Sequence, residues 1–322
     1  MCKMSWRMTF VILALAVAGC GAQNPEPPQV RAFYPQDGYR GFKRGEAIKI
    51  TFSEAMDTAA TEAAFQLLDP RGAPVAVIFT WEDGGRRLLA APANPLAYSP
   101  DDRYLNYRYL LSTGAKSQAG APLENGLDVS FSTMRTLTVV RDSVAALDGS
   151  VSDLGFVSND PNDISAYPVA PTGDSAGNRG VRSFFAFGLA GLGFGAEEVA
   201  YARINLYNIR LDGAPFGAGN LGSIIPERVE YLDNSVLDKN DYGLPGKKAL
   251  DPIVSWPASE TVTLTVTDWL RQALTTNEKY LQLRLRFERR TDGDTTADAV
   301  NVATGEDTAG HRPRLEIGYY AP

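Results

Sequence analysis

Histidine occurs once and cysteine twice in the 322 residues, and these two scarcities exclude a good deal of chemistry. A zinc centre built on several histidines is out of reach, and a Ser-His-Asp triad would have to use His311. That residue stands in Gly310-His311-Arg312-Pro313, a loop-like context where a histidine is ordinary surface. The cysteines are Cys2 and Cys20, so nothing after them can form an internal disulfide, and the folded part has to rely on its apolar core. Positive charge is also scarce: 31 Lys and Arg face 38 Asp and Glu, for a net charge of −7. An acidic balance argues against the clustered basic surface that phosphate backbones require, and no nucleic-acid partner is expected. The uncharged run Thr9–Gly19 is too short for a stable membrane span, which takes roughly 20 apolar residues.

What is present begins at the N-terminus. Lys3 and Arg7 precede that uncharged run, the layout of a secretory signal. It ends in Leu15-Ala16-Val17-Ala18-Gly19-Cys20, which resembles the bacterial lipobox. The resemblance implies a signal peptide over residues 1–19 and a lipid on Cys20. It makes the membrane a partner and places the folded part outside the cytoplasm, on the outer membrane where the host has one. More than one acyl chain gives stable anchoring, whereas a single chain binds only marginally. Residues 20–29 are polar and proline-rich, a semi-rigid tether with nothing to bury.

Both halves of the remainder read as β structure. Ile48, Ile50 and Phe52 alternate with polar neighbours, as do Val75, Val77 and Phe79, then Tyr107, Tyr109 and Leu111, then Leu127, Val129 and Phe131. A period of two places each set on one face of a strand. Pro35-Gln36-Asp37-Gly38, Asp69-Pro70-Arg71-Gly72 and Asp83-Gly84-Gly85 supply turns between them. Several short strands at this spacing predict an Ig-like β-sandwich over residues 30–135. Tyr34-Pro35-Gln36-Asp37-Gly38, Ile50-Thr51-Phe52-Ser53-Glu54-Ala55-Met56-Asp57 and Val129-Ser130-Phe131-Ser132-Thr133 resemble the bacterial Ig-like domain first described in S-layer proteins. Ala55 stands where that family usually has proline. Glu54 and Asp57 are expected to polarise a turn and cap a helical stretch through Ala59–Ala64.

Residues 136–322 are expected to form a second, jelly-roll-like β-sandwich with one short helix, making the chain all-β. Strands are expected at Leu137–Arg141, Val181–Phe187, Tyr201–Leu211, Arg228–Leu232, Thr261–Val266, Tyr280–Arg289 and Pro313–Tyr320. In the sixth, Leu281, Leu283, Leu285 and Phe287 oppose Gln282, Arg284 and Arg286, which predicts a basic outer face. Thr267 is the expected cap of a helix whose stripe is Trp269, Leu270, Ala273 and Leu274. Arg182-Ser183-Phe184-Phe185-Ala186-Phe187, Ala202-Arg203-Ile204-Asn205-Leu206, Val266-Thr267-Asp268-Trp269-Leu270 and Arg312-Pro313-Arg314-Leu315-Glu316-Ile317-Gly318-Tyr319 resemble DNRLRE-type extracellular modules, related to carbohydrate-binding modules. A long early loop, Asp148–Arg179, and an insertion, Gly213–Leu250, depart from that pattern.

Function is expected in those loops or on a nearby face, since loops are where rigid sandwiches place their contacts. Tyr167, Phe216, Tyr242 and Trp256 are candidates to stack on a sugar ring. Asp160, Asn162, Asp163, Asp292 and Asp294 crowd oxygens closely enough that a structural calcium could relieve their repulsion, and no other cofactor is expected. Three roles remain open. The first is a non-catalytic lipid-anchored protein, adhesive in character, that contacts a glycan or cell-envelope polymer. The second is a structural component that binds another envelope protein. The third is a glycoside hydrolase working through paired carboxylates.

Overall fold

The computed structural model describes residues 26–158, 168–230 and 236–322. Cys20, the signal segment, Tyr167, Asp160, Asn162 and Asp163 lie outside the described residues. Among those described, no helix is long and apolar enough to cross a membrane. The chain divides into two compact units: residues 1–39, 44–96 and 106–131, and residues 40–43, 97–105 and 132–322.

The N-terminal part is a β-sandwich. Its strands are β1 (Val30–Tyr34), β2 (Tyr39–Phe42), β3 (Ile48–Phe52), β4 (Phe65–Leu68), β5 (Pro74–Val75), β6 (Val77–Glu82), β7 (Arg87–Pro92), β8 (Asn106–Leu111) and β9 (Leu127–Thr133). One sheet runs β1-β3-β7-β6 and the other β2-β9-β8-β4-β5. The period-two residues face inward: Ile48, Ile50 and Phe52 in β3, Tyr107, Tyr109 and Leu111 in β8, and Val129 and Phe131 in β9 are all buried. The Tyr109 hydroxyl, taken out of water with its ring, donates to the Pro35 carbonyl at 2.8 Å. Helix α1 (Thr58–Ala64) is capped by Asp57, whose Oδ1 accepts the Ala60 N–H at 3.0 Å.

The second unit carries β10 (Arg135–Asp142), β11 (Gly149–Ser152), β12 (Val169–Asp174), β13 (Gly180–Gly188), β14 (Val199–Asp212), β15 (Ile224–Arg228), β16 (Lys248–Ala249), β17 (Glu260–Thr265), α2 (Thr267–Thr275), β18 (Tyr280–Phe287), β19 (Asp298–Ala303) and β20 (Arg314–Ala321). They form one curled sheet in the order β10-β20-β14-β19-β12-β13-β18-β15-β16, with β11 on β13 and β17 on β14. The long strand β14 pairs with β17 and β20 early and with β19 late, across a register shift between Asn208 and Arg210. A bulge in a long strand bends it, which lets one sheet wrap a single core. That core takes Phe185 and Phe187, Ile204 and Leu206, Leu281, Leu283 and Leu285, Val300 and Val302, and Leu315 and Ile317, closed by Trp269, Leu270 and Ala273 of α2.

Four expectations change here. The described residues of the expected loop Asp148–Arg179 hold β11 and β12, and an unexpected strand, β19, begins at Asp298, soon after the candidates Asp292 and Asp294. The strand expected at Arg228–Leu232 is β15, which ends at Arg228. β12 and β19 sit at the centre of the sheet; β19 is buried at every position and β12 everywhere but the half-buried Val169 and Pro171, so neither shows the apolar–polar alternation of a solvent-facing strand. Thr267 is the first helical residue and not the cap, because its Oγ1 accepts the Ala202 N–H at 3.0 Å. The outer face of β18 is also not open: Gln282 and Arg284 are each 3% exposed. A second apolar cluster of Leu147, Val151, Phe184, Ala186, Val229, Leu237 and Leu244 covers that side of the sheet.

Candidate functional site

Covering a basic strand face forces its cations to find partners. Arg284 is held by Glu227 Oε2 through Nε at 3.1 Å and Nη2 at 2.5 Å, and by the Leu244 carbonyl at 2.5 Å. Arg286 reaches the other oxygen, Glu227 Oε1, at 2.9 Å. Burial pushes the Glu227 carboxyl up, but the hydrogen bonds and charges of Arg286 and Arg284 outweigh it and hold the group below the usual carboxylate range. Arg228, 1% exposed, is bound by Gln272 at 2.7 Å and Glu278 at 2.5 Å.

Where this network meets the surface there is a small pocket of about 110 Å³, lined among others by Arg182, Tyr242, Arg286, Arg289 and Arg290. The Arg182 guanidinium lies over the Tyr242 ring, 4.1 Å from its centroid, and donates to the Tyr242 carbonyl at 2.5 Å. Burial lowers the Arg182 pKa, and the like charges of Arg284 and Arg286 push the same way. Arg290 pairs with Asp153. Gly180 keeps the floor open, because a Cβ there would stand 2.7 Å from the Tyr242 hydroxyl. The result is a pocket on an acidic protein in which four arginines outnumber the one lining carboxylate residue, Glu288, and whose size suits one anionic group.

The expected stacking residues do not form one platform. Trp256 is 1% exposed, its Nε1 donating to the Glu260 carbonyl at 3.0 Å, so it is core and has no free face for a sugar. Phe216 packs on the same core, edge-on to Phe287 at 5.3 Å between centroids. Tyr242, among the described candidates, lines the arginine pocket, and one of its faces is occupied by Arg182.

The acidic candidates are also rearranged. Asp294 is exposed and accepts the Thr296 N–H at 2.6 Å, a solvated turn outside any cluster. Asp292 gathers with Asp174 and Asp298, one carboxylate oxygen from each lying within 4.8 Å of the others. Asp174 and Asp298 face each other across β12 and β19 and are each 3% exposed. A sugar ring cannot enter between them, which removes this trio from glycosidase geometry. Burial raises the Asp174 pKa, and the Asp292 and Asp298 charges add to the rise. The Thr291 hydroxyl and the Asp298 N–H oppose it. Asp174 is not legible as a candidate in the sequence, because the mixed composition of Val169–Asp174 reads as loop.

Residues 24–133 match the bacterial Ig-like domain family. No curated protein matches the chain. Among solved structures, the methionine-rich copper resistance protein PcoC from Escherichia coli is 19% identical, over 33% of this chain and 98% of its own, with a TM-score of 0.26. The N-terminal part of the bacterial S-layer protein SbsC is 14% identical over 51% of this chain and 41% of its own, at a TM-score of 0.26. Native alpha-2-macroglobulin from Escherichia coli is 11% identical over 86% of this chain and 71% of its own, at 0.29. Likeness at this level carries no argument about what the chain binds.

Proposed function

We propose that this protein is a lipid-anchored, non-catalytic binding protein of the bacterial envelope, held at the membrane through Cys20. It contacts an acidic envelope polymer through its second, jelly-roll-like unit, and the Ig-like domain serves as a spacer. The observation that carries the reading is the pocket of Arg182, Arg286, Arg289 and Arg290 around Tyr242. Arginines present forked donors that match a carboxylate or sulfate, and a tyrosine beside them offers an apolar ring edge. A glycan bearing uronic acid or sulfate combines these two chemistries. Lipobox spacing supports the anchor, and the polar tether after it gives the folded part reach.

The test is affinity electrophoresis of the chain carrying Cys20→Ser in gels of acidic and of neutral polysaccharide. Acidic polymer should retard it, neutral polymer should not, and Arg182→Ala should abolish the retardation. Unretarded migration in every gel refutes the glycan reading and favours the structural one. That alternative has its own observation: Leu154 and Phe156, 62% and 66% exposed, are apolar side chains placed for a protein partner.

A further inference from the structure

We propose that Asp174, Asp292 and Asp298 form a calcium site that pins the loop after β18 to the centre of the sheet. The inference does not rest on the glycan reading. The antiparallel register of β12 and β19 puts Asp174 directly opposite Asp298, and the loop delivers Asp292 to the same point. Like charges directly opposite on neighbouring strands are destabilising, and these two are almost fully buried. Gly173, the residue before Asp174, allows the close approach, since a Cβ there would stand 2.7 Å from the Ala299 Cα.

Partner accounting then points to a cation. Asp174 Oδ1 accepts the Asp298 N–H at 3.3 Å, and the Thr291 hydroxyl also stabilises the carboxylate, but its Oδ2 is buried with no hydrogen-bond partner. Asp298 Oδ1 takes the Ala214 N–H, and Asp292 Oδ1 takes the Asp294 N–H at 3.2 Å. Among the described residues, none of the three carboxylates has a Lys or Arg salt-bridge partner; Arg290, two positions before Asp292, is bound to Asp153. A buried carboxylate oxygen left bare is costly, and a cation satisfies it without a donor.

The donor set selects the metal. It is all oxygen and hard, with no histidine or thiolate, which disfavours zinc and copper. Calcium binds oxygens at about 2.3–2.6 Å, so ligands on opposite sides of the ion are up to about 5 Å apart. A trio within 4.8 Å of one another fits around such an ion, and the remaining coordination positions go to water. Gly173 and Gly180 line the arginine pocket, and Asp174 pairs with Gly180, so the ion would also brace one wall of that pocket.

The experiment is calcium titration of the full chain by calorimetry after chelation, with thermal melting in calcium and in EDTA. One ion per chain should bind, and about 1 mM calcium should raise the melting temperature by roughly 5 °C, reversed by EDTA. Asp174→Asn and Asp298→Asn should each abolish the binding heat. Should either fail to fold, Asp292→Asn, on the half-buried loop residue, should weaken binding at least tenfold. Absence of heat and of a melting shift in the unaltered chain overturns the proposal. So does unchanged calcium affinity in whichever of these variants fold.

Discussion

The Ig-like domain and the second unit are both antiparallel β structures, yet they bury different things. Among the described residues, the buried charged side chains are Asp148, Asp174, Glu227, Arg228, Asp241, Arg284, Asp298 and Asp307, and all lie in the second unit. The Ig-like core is apolar and aromatic, with small hydroxyls such as Thr61 and Ser117 as its buried polar groups. A domain that buries only apolar surface needs little beyond alternation and turns to specify it. A domain that buries ionisable groups must pair each one, give it a counter-ion or keep it neutral, because an unpaired buried ion costs several kcal/mol. That is how a site comes to be built into the second unit.

The comparison can be broken most directly at Arg284. Arg284→Ala leaves Glu227 with Arg286 alone and an unmet Leu244 carbonyl, and should destabilise the second unit by about 3–5 kcal/mol in urea unfolding. A loss under about 1 kcal/mol would show that the buried network contributes no more than a surface pair does.

The next effect concerns pH. Asp148 is 1% exposed, and burial pushes its carboxyl up to about 7, against hydrogen bonds from Ser143, the Ala186 N–H and the Gly305 N–H. Its folded value therefore lies above its unfolded one, and between about pH 4 and pH 7 the native state holds a proton that the unfolded state has released. Stability from this group is fully present below pH 4 and is lost as pH rises through 7, by at most about 4 kcal/mol. Asp148→Asn, neutral at every pH, should flatten that slope in a series of melts from pH 4 to 8. A slope unchanged in the variant refutes the assignment.

The smallest effect sharpens the contrast from the other side. Tyr109→Phe removes the hydroxyl that meets the Pro35 carbonyl while keeping the ring that packs on Phe65 and Phe131. It should cost the Ig-like domain about 1 kcal/mol, with no pH dependence between 4 and 8. A loss of about 3 kcal/mol or more would mean that this core depends on its polar contacts as heavily as the second unit does.

Legibility in the sequence follows the same divide. In the Ig-like domain, alternation at Ile48–Phe52 and Tyr107–Leu111, and the capping role of Asp57, were read from the residues and recur in the structure. In the second unit β13, β14, β18 and β20 were legible, because each has at least one alternating apolar face. β12 and β19 were not, since Val169–Asp174 and Asp298–Ala303 are wholly or largely buried and mix Pro, Thr, Asp and Asn with their apolar residues. Tyr242 was a candidate by residue type, whereas its partner Arg182 read as an ordinary strand residue. Asp292 was a candidate from local crowding, and Asp174 could not be, because 118 positions separate the two along the chain.

The sequence by itself determined what is local: the lipobox-like run that ends at Cys20, the alternation that makes both units β, the cap at Asp57, and the shortage of histidine that narrows the chemistry. Tertiary structure decided which charges meet. Whether Arg284 is a solvent-facing strand residue or a buried ion depends on Leu237 and Leu244 folding back over the sheet. Whether Asp174 faces Asp298 depends on the pairing of β12 with β19. Hydrophobic alternation is written at intervals of two residues, but electrostatic partnership depends on distance in space, and in a curled sheet that distance is set by strand order and register.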